Sequence, residues 1–394
     1  MHNQRVLLIH NYYQYPGGED VVFALEKSLL MDHGHAVFEY TDSNKHIESL
    51  GYINSAVQTI WSQPSYNTIK RILQDVKPDI AHFHNTFMLI SPSAYYACVE
   101  MGVPVIQTLH NYRLLCPNAY LFRDGAVCEE CIDLKNPFPG VFHKCYRDSY
   151  SQSAVVAGML GAHWLFRTWQ NKIDFFIVLT EFARQKFIQG GLPENKIIVK
   201  PNFVADINVP QRTSVGEYVL YIGHLSSEKG LETLLSAWDR LKIPLKIAGD
   251  GPLREYVQQY TEKTPLIEYL GQVNQQSVGD LLRQARFVVF PSKLYEGLPM
   301  TIIESFACGV PVIASNLTAR AELIRHAEAG LLYTAGDVAD LAAKVEWLWS
   351  NPESCVEMGR KARIEYEEKY TPERNYQLLR KIYQMAMENR TQNI

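Results

Sequence analysis

Short apolar runs recur along the chain, each followed by a loop and a longer stretch of helical period. Residues 5–11 (RVLLIHN) open the series, a turn carries Pro16-Gly17-Gly18, and a helix is expected over residues 19–33, stopped by Gly34. Strands follow at 79–84 (DIAHFH), 103–109 (VPVIQTL), 175–179 (FFIVL) and 197–199. A second series begins at 218–222 (YVLYI) and continues at 245–248 (LKIA), 267–270, 287–290 (FVVF) and 310–314 (VPVIA). Continuous apolar strands alternating with amphipathic helices predict α/β architecture, with parallel sheets covered on both faces. Residues 371–388 read as one amphipathic helix, with Tyr376, Leu379, Ile382, Tyr383 and Met387 on one face.

Between the two series, residues 201–215 gather Pro, Asn, Thr and Ser and lose helical period. The expected domains are therefore 1–203 and 204–370, each Rossmann-like, with the closing helix at 371–394 packing back on the first. Two such halves facing each other would leave a cleft at the C-terminal ends of the strands, where open parallel sheets place ligands. A length of 394 residues is enough for two cores. The net charge of −4 marks no general nucleic-acid surface. Residues 6–9 are too short for a secretory apolar region, and residues 154–166, interrupted by His163, fall short of the roughly 20 apolar residues a span needs. A cytoplasmic protein is expected.

The chemistry concentrates in residues 291–309, PSKLYEGLPMTIIESFACG. Glu296 and Glu304 are separated by seven residues, and Gly297-Leu298-Pro299 turns from loop into helix between them. A helix start offers free N–H groups and partial positive charge, a seat for a diphosphate. Ionised carboxylates beside that seat accept hydrogen bonds only, which suits hydroxyls of a sugar and of a ribose. Surface glutamates on a solvated helix are the plain alternative.

This segment resembles the hallmark of family 4 of the retaining glycosyltransferases (glycosyltransferase group 1), which have the GT-B fold of two facing Rossmann-like domains. The hallmark is a Glu, seven residues and a second Glu, after a strand ending Pro-Ser. The resemblance covers the whole chain. It implies that Glu296 hydrogen-bonds the donor sugar beside the reacting centre and that Glu304 holds the ribose. Residues 221–230 (YIGHLSSEKG) resemble the family's phosphate clamp, giving Gly223 and Lys229 to the diphosphate, with His224 where the family usually has arginine. Gly249, in AGDGP, matches a loop close to the nucleotide, and Val273, in GQV, lies where backbone reads the base edge. Gly17 and Gly18 match the loop under the diphosphate, with Asp20 in the acidic place bordering the acceptor pocket. His110 matches a histidine facing the transferred sugar. His84 and Asn85, with His82, end another strand and are acceptor-side candidates or core residues.

The resemblance implies retention by front-face attack, the departing phosphate oxygen taking the hydroxyl proton. Glu296 then orients and stabilises without being a nucleophile. No Asp-x-Asp pair is placed for a metal, so divalent metal is expected to be dispensable and no cofactor required for the chemistry. The expected activity is hexosyl transfer, glucose from a UDP-sugar being the first trial, to a saccharide or lipid-linked saccharide in polysaccharide assembly. A nucleotide-sugar 2-epimerase or a non-catalytic nucleotide-sugar-binding protein on the same architecture is the alternative. An NAD oxidoreductase is disfavoured, since no G-x-G-x-x-G follows either first strand.

Two features lie outside that pattern. Cys116, Cys128, Cys131 and Cys145 fall in one irregular insert and form a candidate structural zinc site, with two disulfides or reduced thiols as alternatives. Residues 151–169, with Trp164, Phe166 and Trp169 near Arg167 and Lys172, are either a peripheral contact with the inner membrane face or a buried helix.

Overall fold

The computed structural model describes residues 3–14, 17–206 and 214–392. Two compact units divide the chain, one of residues 1–121, 128–201 and 375–394, the other of 122–127 and 202–374. The expected boundary at 203/204 lies two residues past this division, and most of the polar join (207–213) is outside the described residues, as is Pro16. Residues 122–127, the antiparallel hairpin Phe122–Arg123 with Ala126–Val127, group with the second unit, which no periodicity in the sequence signals.

The first unit is built on a six-stranded sheet, in spatial order Ala36–Ser43, Arg5–Tyr12, Ile80–Asn85, Val105–Leu109, Phe175–Val178 and Ile197–Val199, with all neighbours parallel. The edge strand Ala36–Ser43 was not anticipated. It reads AVFEYTDS, half exposed along its length, so it lacks the apolar run that marks an interior strand. Because side chains alternate between faces, Val6, Leu8, Ile80 and Ile106 share one side, covered by Phe23 and Leu30 of helix Gly18–Asp32. Helix Pro372–Gln392 adds Leu379, Ile382, Tyr383 and Ala386 to that core. Ala386 rather than Met387 completes its buried stripe.

The second unit has strands in the order Ile267–Gly271, Leu245–Ala248, Tyr218–Ile222, Ala285–Phe290, Val312–Ser315 and Gly330–Tyr333, again all parallel. Counted along the chain this is 3-2-1-4-5-6, the doubly wound order whose connections reverse direction between the first and fourth strands. Gly330–Tyr333, the other unanticipated strand, is likewise an edge. Helices Leu231–Trp238 and Val338–Ser350 bury Leu231, Leu234, Leu235, Leu341 and Val345 against one sheet face.

Candidate active site

In the second unit the switch point fixes where a ligand can enter. The loops leaving Tyr218–Ile222 and Ala285–Phe290 start from adjacent strands and run to opposite sides, leaving a crevice at their C-terminal ends. The two loops also touch: the Lys293 N–H donates to the Glu228 carbonyl at 2.8 Å. Gly230 has φ 74°, and a Cβ there would lie 2.0 Å from the Pro291 carbonyl oxygen, so only glycine permits this approach. Gly249, at φ 144°, is equally constrained, since a Cβ would fall 1.9 Å from the Gly223 oxygen. Its role in this fold is to let two strand ends meet.

Across this crevice Lys229 Nζ donates to Glu296 Oε1 at 2.7 Å, and Ser292 Oγ donates to the same oxygen at 2.8 Å. Burial works against the Glu296 charge, but Lys229, then Arg320 and Ser292, outweigh it and hold the carboxyl below its ordinary range. The pair stays open to solvent, with side-chain exposures of 26% for Lys229 and 17% for Glu296, so a ligand can reach it. Arg320 was not singled out from sequence. It is fully buried and donates to the carbonyls of Ser315, Leu294 and Ser292, pinning the loop that carries Glu296. An arginine two residues into a helix gives no sequence sign of such a clamp.

Pro299 occupies the position just before helix Met300–Ala307 without a side-chain hydrogen bond to it, and Leu298 and Pro299 are buried. Glu304 lies in the second turn and accepts from Gln275 Nε2 at 2.7 Å. Burial pushes its carboxyl up, partly offset by that hydrogen bond. His224 is exposed, with its carbonyl accepting from Tyr221 Oη at 3.0 Å, and Val273 is partly exposed after its strand. Lys229 and Glu296 are thus in contact, while Glu304 is held apart by Gln275.

In the first unit three neighbouring strands carry a histidine at or near their C-terminal ends, in the series Val6-Leu8-His10, Ile80-His82-His84 and Ile106-Thr108-His110. His84 Nδ1 and His110 Nε2 are 3.0 Å apart, with the rings stacked at 5.2 Å. Burial, above all, pushes the imidazoles of His10, His82 and His110 down, so they are neutral near pH 7. His84 is buried among these groups. Asn85 is consumed by backbone, donating to the Asn11 carbonyl at 2.7 Å and accepting from the Phe87 N–H at 3.0 Å.

Asp20 faces inward. Its Oδ2 accepts from the Gly17 N–H at 2.8 Å, fastening the turn at Gly17-Gly18 to the helix start, and Oδ1 is 2.7 Å from His10 Nε2. Glu19, passed over in the sequence, lies in the more strongly perturbing setting. Its Oε2 accepts from Asn111 Nδ2 at 3.1 Å, and burial, then the charge of Asp20, push its carboxyl up to about 8.

The four clustered cysteines all lie in the first unit and carry free thiols. Burial, then Cys116, Cys145 and Cys128 nearby, push the Cys131 thiol up to about 12. Among the described residues only Glu26, His82 and His84 bring three ligand atoms within 4.8 Å of one another. The thiols are neighbours without the S···S spacing of about 3.8 Å that a closed tetrahedral zinc site requires. Among the described residues no helix is long and apolar enough to cross a membrane.

Residues 17–206 match the family described as Glycosyltransferase Family 4, and residues 206–365 match Glycosyl transferases group 1. An uncharacterized glycosyltransferase of Methanocaldococcus jannaschii is 24% identical over 96% of this chain and 98% of its own length. The O-antigen chain mannosyltransferase B of Escherichia coli is 34% identical over a shorter stretch, 32% of this chain and 35% of that protein. Among solved structures, Anabaena HepE in complex with UDP superposes with a TM-score of 0.66 at 18% identity, covering 95% of this chain and 98% of that one. The two family matches meet at residue 206 and together span the strand-end loops of both units, and on this GT-B architecture the chain belongs to the group 1, family 4 glycosyltransferases.

Proposed function

We propose that the protein transfers a hexosyl group, with retention, from a nucleoside-diphosphate sugar to a saccharide or lipid-linked saccharide in polysaccharide assembly. The observation that carries this reading is the Lys229–Glu296 contact of 2.7 Å at the switch point of the second sheet. Leaving-group departure builds negative charge on the diphosphate, and a preorganised ammonium at that position stabilises it without reorganisation. On nucleotide binding Lys229 turns from Glu296 toward phosphate, which frees Glu296 Oε1 to accept from a sugar hydroxyl. Glu304 then accepts from ribose hydroxyls in place of Gln275. His110 contacts the transferred sugar, and Glu19 joins Asp20 as an acceptor-side candidate.

UDP-glucose is the first donor to test, since HepE has been crystallised with it and shares this fold. A mannosyl donor is the second reading, favoured by the 34% identity to the mannosyltransferase. Incubation with UDP-glucose and GDP-mannose, with and without saccharide acceptors, tests the proposal. Acceptor-dependent release of nucleoside diphosphate supports it. Turnover of donor alone into a free epimerised sugar would point to the epimerase reading, and no turnover with any donor to a binding protein. Activity is expected to persist in EDTA.

Two lesser proposals concern the first unit. Leu165 and Phe166 are 79% and 64% exposed beside Arg167 and suit the surface of an anionic membrane, whereas Trp169 is core. Absence of flotation with anionic vesicles would remove that contact. A structural zinc on the four cysteines requires their side chains to rotate toward a common point. Metal analysis of unchelated protein at one equivalent would establish it, and a metal-free result would dismiss it.

A further inference from the structure

Glu26 stands where the apolar face of its helix calls for a hydrophobic residue, between Phe23 and Leu30, and it is buried. Its Oε2 accepts from Lys200 Nζ at 2.8 Å, and Lys200 is buried as well, donating also to Asn375 Oδ1 at 3.2 Å. The other oxygen, Oε1, is 3.1 Å from His82 Nδ1 and 3.3 Å from His84 Nε2. Glu26, His82 and His84 are close enough to suggest metal ligands, but the Lys200 ammonium already supplies the cation. A divalent ion beside it would meet like charge in a dry site. The remaining contact in the series is His84 Nδ1 to His110 Nε2 at 3.0 Å.

Proton positions follow from what each group can accept. An ionised carboxylate only accepts. Burial opposes the Glu26 charge, yet Lys200, then the two histidines, hold it well below the ordinary range. His84 Nε2 therefore carries hydrogen, since a bare nitrogen would set its lone pair against the carboxylate, and neither atom has a better-aligned partner among the described residues. In the tautomer with hydrogen on Nε2 alone, His84 has a bare Nδ1. His110 Nε2 must then be the donor across the 3.0 Å contact, which leaves His110 Nδ1 without hydrogen.

We propose that the buried Lys200–Glu26 pair acts through His84 to fix His110 in its Nε2–H tautomer, so that His110 presents Nδ1 as a hydrogen-bond acceptor for a hydroxyl of the transferred sugar. Glu26 and His84 are positioning residues, and the sugar contact of His110 rests on the function proposed above. The partner class is accordingly a hydroxyl donor; an acceptor group such as a carboxylate or a carbonyl at the same place on the sugar is rejected.

The test is ¹⁵N spectroscopy of the full chain with labelled histidine at pH 7, with His84 and His110 assigned from His84→Asn and His110→Ala variants. The proposal expects both residues neutral with hydrogen on Nε2. Hydrogen on Nδ1 of His110 overturns it, and this measurement needs no change to the buried pair. The second arm is Glu26→Gln/Lys200→Met, which removes both charges together so that neither is left buried alone. In the folded double variant His110 should become a mixture of tautomers, and turnover should fall roughly tenfold, the worth of one hydrogen bond. An unchanged His110 tautomer in that variant also overturns the proposal. The sugar contact fails separately: unchanged transfer by folded His110→Ala removes His110 from the donor, whatever its tautomer.

Discussion

Two lysine–glutamate pairs in this chain have nearly the same length and opposite settings. Lys200–Glu26 in the first unit spans 2.8 Å with both side chains 1% exposed. Lys229–Glu296 in the second spans 2.7 Å with about a fifth of each side chain open. The first is enclosed by Asn375, His82 and His84 and shut off from solvent. The second has one lysine and one serine on a carboxylate at a strand end, so a ligand can take the place of either contact. Burial, then, rather than distance separates a pair that sets the fold from one that can exchange partners during a reaction. In the dry pair, losing one member leaves an unpaired charge; in the open pair, water takes its place.

That contrast can be broken by substitution. The largest effect is expected on turnover from Lys229→Met, which removes the cation proposed to face the leaving group: kcat should drop on the order of 100-fold, while the variant loses no more than about 1 kcal/mol of stability. Steady-state kinetics and urea unfolding on one preparation check both halves, and a stability loss matching that of a buried pair would erase the distinction. Glu26→Gln should behave in reverse, losing about 3–5 kcal/mol of stability by stranding Lys200 in the core. Adding Lys200→Met should restore much of it. Glu296→Gln comes next, lowering kcat at least about tenfold with modest change in nucleotide affinity, as expected for an interaction formed with the sugar.

The smallest effects concern pH. Glu19 has its folded pKa raised to about 8, so its contribution to stability is complete below 4.5 and is lost as pH rises through 8. Glu19→Gln should therefore raise the melting temperature at pH 8.5 relative to the parent and leave it little changed at pH 4.5. Glu296 has the opposite sign. Its lowered pKa contributes stability above 4.5 that disappears as pH falls through the folded value. Parallel pH-melting curves of the two Gln variants would show opposite slopes, and curves of the same slope would contradict the assigned settings.

Much of the molecule was legible in the chain. Interior strands such as 218–222 and 245–248 announce themselves because a parallel strand buried on both faces must be apolar throughout. Edge strands Ala36–Ser43 and Gly330–Tyr333 escaped, since one side meets solvent and their composition turns mixed. Glu296, Lys229 and Glu304 could be singled out by resemblance because strand, turn and helix start occupy a fixed local order. Asp20 was given the acidic place by resemblance after Gly17-Gly18; that it also fastens the helix start and meets His10, with Glu19 beside Asn111, only the fold decides.

The sequence by itself determined the elements, the two wound sheets and the glutamate-bearing loop, because each depends on residues within a few positions of one another. Tertiary structure alone decided which charges are sealed and which are open. Glu26 and Lys200 are 174 residues apart, and Lys229 and Glu296 are 67 apart. Each pair meets only through the sheet that carries its members, and a carboxylate's solvation, which sets both its pKa and its work, depends on what the folded chain places around it.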